Sequence, residues 1–259
     1  MNADYIKIDS GVVNVFLCNY KLITDAALLR KYETILSVAE HLRWQGLECS
    51  KVKRRYLITR AMIRTILSAA LGCSLSDFEL VVSDKGKPQL LHSDGWQFNL
   101  SHSHDVAVLA ITRHVQLGVD LEYKPRKMRA LPIARSYFSE AEITLLESLP
   151  ENEVNECFLS LWTLKEAYLK AVGSGLSGSL KSCRFLLNHQ RATIAISVDP
   201  PLVKRFIDCW QCEYDIAYQL AITTLSDKKN PLAIQAYDFI PGQDCSERKL
   251  GKLFYGRLS

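Results

Sequence analysis

The chain has 259 residues, enough for one large domain or two small ones with a proper core. A content of 48% hydrophobic and 23% charged residues excludes wholesale disorder, and 12 Gly with 8 Pro exclude collagen-like or low-complexity architecture. The balance of 32 basic against 28 acidic residues, a net charge of +4, is too small to indicate nucleic acid as a partner.

No run approaches the roughly 20 apolar residues of a membrane span, so no membrane association is expected. Met1–Tyr5 lacks the basic and apolar regions of a signal peptide. The eight cysteines are therefore expected as reduced thiols in a cytoplasmic protein. Cys209 and Cys212 form a C-x-x-C, but no second pair completes a zinc site. The segment from Cys209 to Tyr214 reads as a strand, which sends residues three apart to opposite faces.

In chain order, residues 9–17 read as a strand, followed by helices over 28–36 and 51–71. In the second helix Tyr56, Ile63, Ile66, Leu67 and Ala70 form an apolar stripe, and Gly72 stands at the C-terminal cap. Strands are expected at 78–82, 96–100, 106–112 and 118–122. Lys124-Pro125-Arg126-Lys127-Met128-Arg129 then reads as a linker, because a proline inside a basic run breaks regular structure. Ser139 and Glu142 form a capping box for a helix ending near Leu149-Pro150. A longer helix covers 154–172 and closes at Gly173-Ser174-Gly175.

The order of elements then repeats. The segment 104–112 resembles 214–223; each follows a Gly-terminated helix and a strand (78–82, 184–187), and each precedes another apolar strand (118–121, 231–236). This predicts an α+β fold: a pseudo-twofold pair of similar lobes, residues 1–123 and 124–259, with the active site in the interlobe cleft.

Asp120 and Glu122 alternate with Val119 and Leu121, so both carboxylates share one face of a strand end, a donor set suited to Mg²⁺ with substrate phosphates. A solvated edge strand with alternating charge has the same pattern. Trp162, Glu166 and Lys170 are spaced four apart on one helix face. A surface ion pair would also read so, but the tryptophan indicates a partly buried stripe, where a carboxylate needs a cation. Phe98-Asn99-Leu100-Ser101-His102-Ser103-His104 ends a strand in small polar groups fit for a phosphate, or in a His-x-His metal pair. Asp84-Lys85-Gly86-Lys87-Pro88 is a turn carrying cations.

Gly86-Lys87-Pro88, Phe98 to Ser103, Gly118 to Glu122, Phe138-Ser139-Glu140-Ala141-Glu142 and Trp162-x-x-Lys165-Glu166-Ala167-x-x-Lys170 with Gly173-x-Gly175-Leu176 follow one another in a familiar order. From about Arg55 to Ser177 the chain resembles the Sfp-type 4′-phosphopantetheinyl transferases. The resemblance implies transfer of the phosphopantetheine arm of coenzyme A to a serine of an apo acyl or peptidyl carrier protein, releasing adenosine 3′,5′-bisphosphate. It implies Mg²⁺ on Asp120, Glu122 and Glu166, and Lys170 on the pyrophosphate. Glu166 would be the general base, directly or through a metal-bound water. His102 and Arg55 would bind the 3′-phosphate, Lys87 and Ser101 would line the nucleotide pocket, and Arg43 matches an upstream basic position. The length, double that of the short trimeric carrier synthases, implies a monomer. Another Mg²⁺-dependent phosphotransfer enzyme, or a carrier-binding module without activity, would share parts of this set.

Overall fold

Two helices of 22 residues, α3 (Ser50–Leu71) and α6 (Glu151–Val172), dominate the helical content. Each ends at a glycine in the left-handed region, Gly72 at φ +64° and Gly173 at φ +75°, where a side chain would be strained. The computed structural model describes residues 6–82, 88–126, 128–173, 180–201, 205–243 and 245–258.

A five-stranded sheet runs in the order β12 (Ser246–Arg248), β11 (Ile234–Asp238), β1 (Val13–Asn19), β5 (Val106–Arg113), β4 (Trp96–Ser103). A six-stranded sheet runs β6 (Gln116–Tyr123), β10 (Tyr218–Ser226), β9 (Phe206–Tyr214), β13 (Phe254–Leu258), β8 (Thr193–Val198), β7 (Cys183–Asn188). A short antiparallel pair, β2 (Leu80–Val82) and β3 (Pro88–Leu90), stands apart from both.

The layers are helix, sheet, sheet, helix. Ile58, Met62 and Ile66 of α3 pack with Phe16, Leu109 and Ile111 on the outer face of the five-stranded sheet. Val15, Leu17 and Val108 meet Val119, Leu121 and Ile222 between the sheets. Leu161, Leu164 and Ala167 of α6 cover Phe185, Cys209 and Ala221 on the far side. Alternate residues of β1 therefore enter different cores, which is why Val13-Asn14-Val15-Phe16-Leu17-Cys18 is buried on both faces. Cys209 and Cys212 likewise face different cores, and burial pushes both thiols up to about 12, leaving them inert.

Helix α3 shares a core with β5 on the outer face of one sheet, and α6 shares one with β10 on the outer face of the other. The division at 123/124 does not follow the sheets. β6, from the first half, pairs with β10 and forms an edge of the six-stranded sheet, while β11, from the second, pairs parallel to β1. The first half lends its last strand, β6, to the six-stranded sheet, and the second lends β11 and β12 to the five-stranded one, non-local pairings that no local period encodes. Helices α1 (Ala26–Thr34), α2 (Val38–Gln45) and α4 (Ala130–Tyr137) bracket the expected boundaries or add to them. Helix α5 (Glu140–Glu147) starts at the expected capping box, with Glu142 Oε2 accepting from Ser139 N (3.0 Å) and Oγ (2.7 Å). Among the described residues, no helix is long and apolar enough to cross a membrane.

The turn joining β4 to β5 is locked by Asp105. Its buried carboxylate accepts from Lys21 Nζ (2.8 Å), Arg55 (2.9 Å) and His104 Nδ1 (2.8 Å), while its carbonyl accepts from Tyr20 N (2.8 Å). Burial pushes the carboxyl up, but the hydrogen bonds from Lys21 and Arg55 outweigh it and hold the group at about 2. A depressed folded-state value stabilises above the ordinary carboxylate range and loses that contribution as pH falls. Asp105→Asn is therefore expected to lose about 1–2 kcal/mol at pH 7, partial exposure of the cations being allowed for. Denaturant unfolding across pH should show the gap to wild type narrowing below pH ~4 and closing near pH ~2; a gap independent of pH would contradict the assignment.

Candidate active site

The edge strands β4 and β6 belong to different sheets, yet they lie side by side along a seam of side chains. Asn99, Ser101 and Ser103 point from alternate positions of β4 toward the edge of β6. Val119 N donates to Asn99 Oδ1 (2.8 Å), Leu121 N to Ser101 Oγ (3.4 Å) and Tyr123 N to Ser103 Oγ (3.0 Å). Each serine hydroxyl then donates onward, Ser101 to Asp120 Oδ1 (2.8 Å) and Ser103 to Glu122 Oε2 (3.2 Å). The seam thus satisfies the free edge of β6 and fixes both expected carboxylates in one set of bonds.

Helix α6 closes on the face of β6 that carries those acids. Gly118 permits this: a Cβ there would stand 2.0 Å from Ala167 O and 2.4 Å from Ala171 N, so only glycine lets helix and strand backbones approach so closely. The register is fixed at the helix interior by Lys165, fully buried in the core. Its ammonium donates to Glu142 Oε2 (2.8 Å), Leu180 O (2.8 Å) and Cys183 O, and lies 4.9 Å from the Phe138 ring. Trp162 stacks with Phe158 and Phe138. With Lys165 held inward, Glu166 and Lys170 are carried to the β6 side. Lys170 Nζ donates to Asp120 Oδ1 (2.6 Å), Ser101 Oγ (3.1 Å) and Val119 O (3.1 Å).

Asp120 and Glu122 of β6 and Glu166 and Lys170 of α6 therefore form one electrostatic cluster. Burial, then repulsion from Asp120, raises the Glu166 carboxyl; the same two causes raise Glu122, against a bond from Ser103. Lys170 opposes both shifts but does not cancel them. Asp120 Oδ2 and Glu166 Oε1 are buried without a hydrogen-bond partner among the described residues. Three crowded carboxylates, two with an orphan oxygen, are a donor set short of positive charge. Hard oxygens of this kind fit Mg²⁺. As the side chains stand, no three acidic, imidazole or thiol groups among the described residues close on a single ion position, and Asp120 is held by an ammonium instead.

His102 follows Ser101 on β4 and is exposed at the seam. The surrounding protein, then Lys170 and Arg55, hold its imidazole below the ordinary range. Arg55 stands near it on α3, tied to Asp105. Arg43, on α2, is placed apart from this group. It lies over the Tyr56 ring at 5.9 Å and lines an open cavity of about 820 Å³ with Tyr56, Arg60 and Phe78. Lys87 falls outside the described residues, as do Gly175 and Leu176. Sequence reasoning missed Asn99 and Ser103, whose signal was the period-two run of small polar residues on β4. It also missed Asp105 as the group that orients Arg55.

Residues 116–223 match the family model for the 4′-phosphopantetheinyl transferase superfamily, and residues 28–114 that for the 4′-phosphopantetheinyl transferase N-terminal region. A putative 4′-phosphopantetheinyl transferase of Synechocystis sp. is 33% identical over 61% of this chain and 65% of its own. The 4′-phosphopantetheinyl transferase HetI of Nostoc sp. is 37% identical over 48% of this chain and 54% of its own. The matches thus span less than two thirds of these two relatives' lengths. The 4′-phosphopantetheinyl transferase psf-1 of Bacillus pumilus is 31% identical over 66% of this chain and 71% of its own. A solved holo-[acyl-carrier-protein] synthase of Thermotoga maritima aligns with TM-score 0.35 and 22% identity over 44% of this chain and 66% of that one. With its acids, its lysine and both family regions in order along one chain, this protein belongs to the 4′-phosphopantetheinyl transferase superfamily.

Proposed function

We propose that the seam site transfers the 4′-phosphopantetheine arm of coenzyme A to a serine hydroxyl of an apo acyl or peptidyl carrier protein. The observation that carries this reading is the convergence of Asp120, Glu122, Glu166 and Lys170 beside His102 and Arg55. The serine oxygen forms a bond to the phosphorus bearing the pantetheine arm. The bridging P–O bond of the pyrophosphate breaks, and adenosine 3′,5′-bisphosphate leaves with the electron pair. Glu166, whose carboxyl is raised by burial, accepts the serine proton. Lys170 turns its ammonium to the pyrophosphate and offsets the charge that develops on the leaving group. Ser101 keeps Asp120 in place throughout.

Asp120, Glu122 and Glu166 are the residues that would hold Mg²⁺, which when bound supplies charge neutralisation at the phosphates. At the nucleotide end, His102 and Arg55 take the 3′-phosphate, beside Ser101. Both sides of the site come from one chain, which supports a monomer built of lobes near 1–123 and 124–259, with β6 exchanged for β11 and β12. The buried, unbridged thiols of Cys18, Cys183, Cys209 and Cys212 suit a reducing cytoplasm. The basic segment after Glu122 faces the carrier, with Arg126 3.8 Å from Glu122.

The direct test is incubation with coenzyme A, Mg²⁺ and a panel of apo-carriers, read by intact-protein mass. One carrier should gain a phosphopantetheine group; no gain on any would overturn the reading. Asp120→Asn and Glu166→Gln should each lower transfer at least about 100-fold. In metal-free protein at pH 7–8, Glu166→Gln should raise Tm by about 2 °C or more, since it removes a charge that the fold disfavours. Added Mg²⁺ should stabilise wild type but neither variant.

His102→Ala should raise KM for coenzyme A about tenfold or more and leave KM for 3′-dephospho-coenzyme A nearly unchanged. Equal losses for both substrates would make His102 structural. Arg126→Glu with Arg129→Glu should raise KM for the carrier, more at low ionic strength, without changing coenzyme A binding. An unchanged carrier KM at low salt would place docking elsewhere.

A further inference from the structure

The turn between β9 and β10, Asp215-Ile216-Ala217, holds its first two residues in the left-handed region, at φ +50° and +53°. Aspartate tolerates this conformation because its short side chain can bond locally. Isoleucine does not: its branched Cβ crowds the backbone, and glycine would sit there without cost. The side chain is also 80% exposed. An apolar residue thus stands where both backbone and solvent disfavour it. Strain of this kind collects at working surfaces.

Its place in the fold is specific. Ala217 O accepts from Lys124 N (2.8 Å), so the turn lies against the residue two positions beyond Glu122. The pairing of Tyr218 with Tyr123 fixes it at the same end of β6. The surface continues from there as a ladder of rings, His104 on Tyr123 at 4.3 Å and Tyr123 beside Tyr218 at 5.2 Å. Arg126, a 60% exposed cation, stands 3.8 Å from Glu122. A carrier that brings its serine hydroxyl to Glu122 and Glu166 must cover this end of β6.

We infer that Ile216 is an apolar anchor for the carrier protein, seated against an apolar position of the carrier helix beside the target serine, with Arg126 meeting that helix's acidic residues. This inference rests on the transfer reading above and names the surface by which that site takes its macromolecular substrate. Burying Ile216 under the carrier removes the solvent penalty only in the complex, so its contribution appears as affinity rather than as stability of the free enzyme.

The test is Ile216→Gly, with Ile216→Asn as a second variant that also accepts a positive φ. Both should fold with Tm equal to or above wild type. Both should raise KM for the apo-carrier about fivefold to tenfold, the scale of a lost apolar anchor. KM for coenzyme A and binding of adenosine 3′,5′-bisphosphate should not move. A raised Tm with unchanged carrier KM overturns the inference while leaving transfer itself intact. A large fall in Tm in both variants also overturns it, because Ile216 would then pack within the free chain. If the variants instead dissolve a wild-type dimer and keep carrier KM, the surface belongs to a second copy. A wild-type enzyme that modifies no carrier fails the transfer reading, and the inference falls with it.

Discussion

An edge strand carries backbone N–H groups that must find acceptors, and in this protein the acceptors are side chains of the other sheet. β6 offers Val119, Leu121 and Tyr123 to Asn99, Ser101 and Ser103 of β4. Backbone pairing at this edge would have merged the sheets. Side-chain pairing keeps them separate and leaves a polar seam between two apolar layers. The two serines pass their own hydrogens to Asp120 and Glu122. The same bonds that join the sheets therefore hold the acids, and disturbing either disturbs both.

The seam has a partner in the close approach of α6. Gly118 brings the helix backbone against β6, and the buried Lys165–Glu142 pair holds the helix in register. A buried ion pair adds little net stability beside a hydrophobic replacement, but removing one member leaves an uncompensated charge. It specifies one arrangement of α5, α6 and β7, the arrangement in which Lys170 reaches Asp120 and Ser101. Neither half of the chain contains the site alone. β6 comes from the first half and sits in the six-stranded sheet, and α6 comes from the second. Burial, then the neighbouring Asp120, raises the Glu166 and Glu122 carboxyls, which is a cost to the fold.

Much of this was legible in the sequence because it is local. The 3.6-residue stripe and terminal glycine reveal α3 and α6; the alternation of Asp120 and Glu122 with Val119 and Leu121 reveals their common face; the spacing of Glu166 and Lys170 reveals theirs. The exchange of β6 and β11 between sheets was not legible, since pairing partners far apart in sequence leave no local period. Lys165 could not be told from a surface lysine, because its burial depends on Glu142 and on the carbonyls of Leu180 and Cys183. Helix α2 carried a readable capping box in Ser37 and Glu40, but its eight residues give too short a stripe. The acids were readable from spacing, and the hydroxyls that hold them only from the seam.

Because the acids proposed for catalysis and the residues proposed for the nucleotide lie on opposite sides of that seam, moving α6 should separate their effects. Gly118→Ala forces a methyl group against Ala167 and Ala171 and must displace the helix or the strand. The decisive measurement is single-turnover transfer by folded Gly118→Ala alongside its affinity for adenosine 3′,5′-bisphosphate. The account predicts a transfer rate lower by about 100-fold, the scale of a misplacement near 1 Å, with nucleotide affinity nearly unchanged because His102 and Arg55 belong to β4 and α3. Transfer within a few-fold of wild type would contradict it.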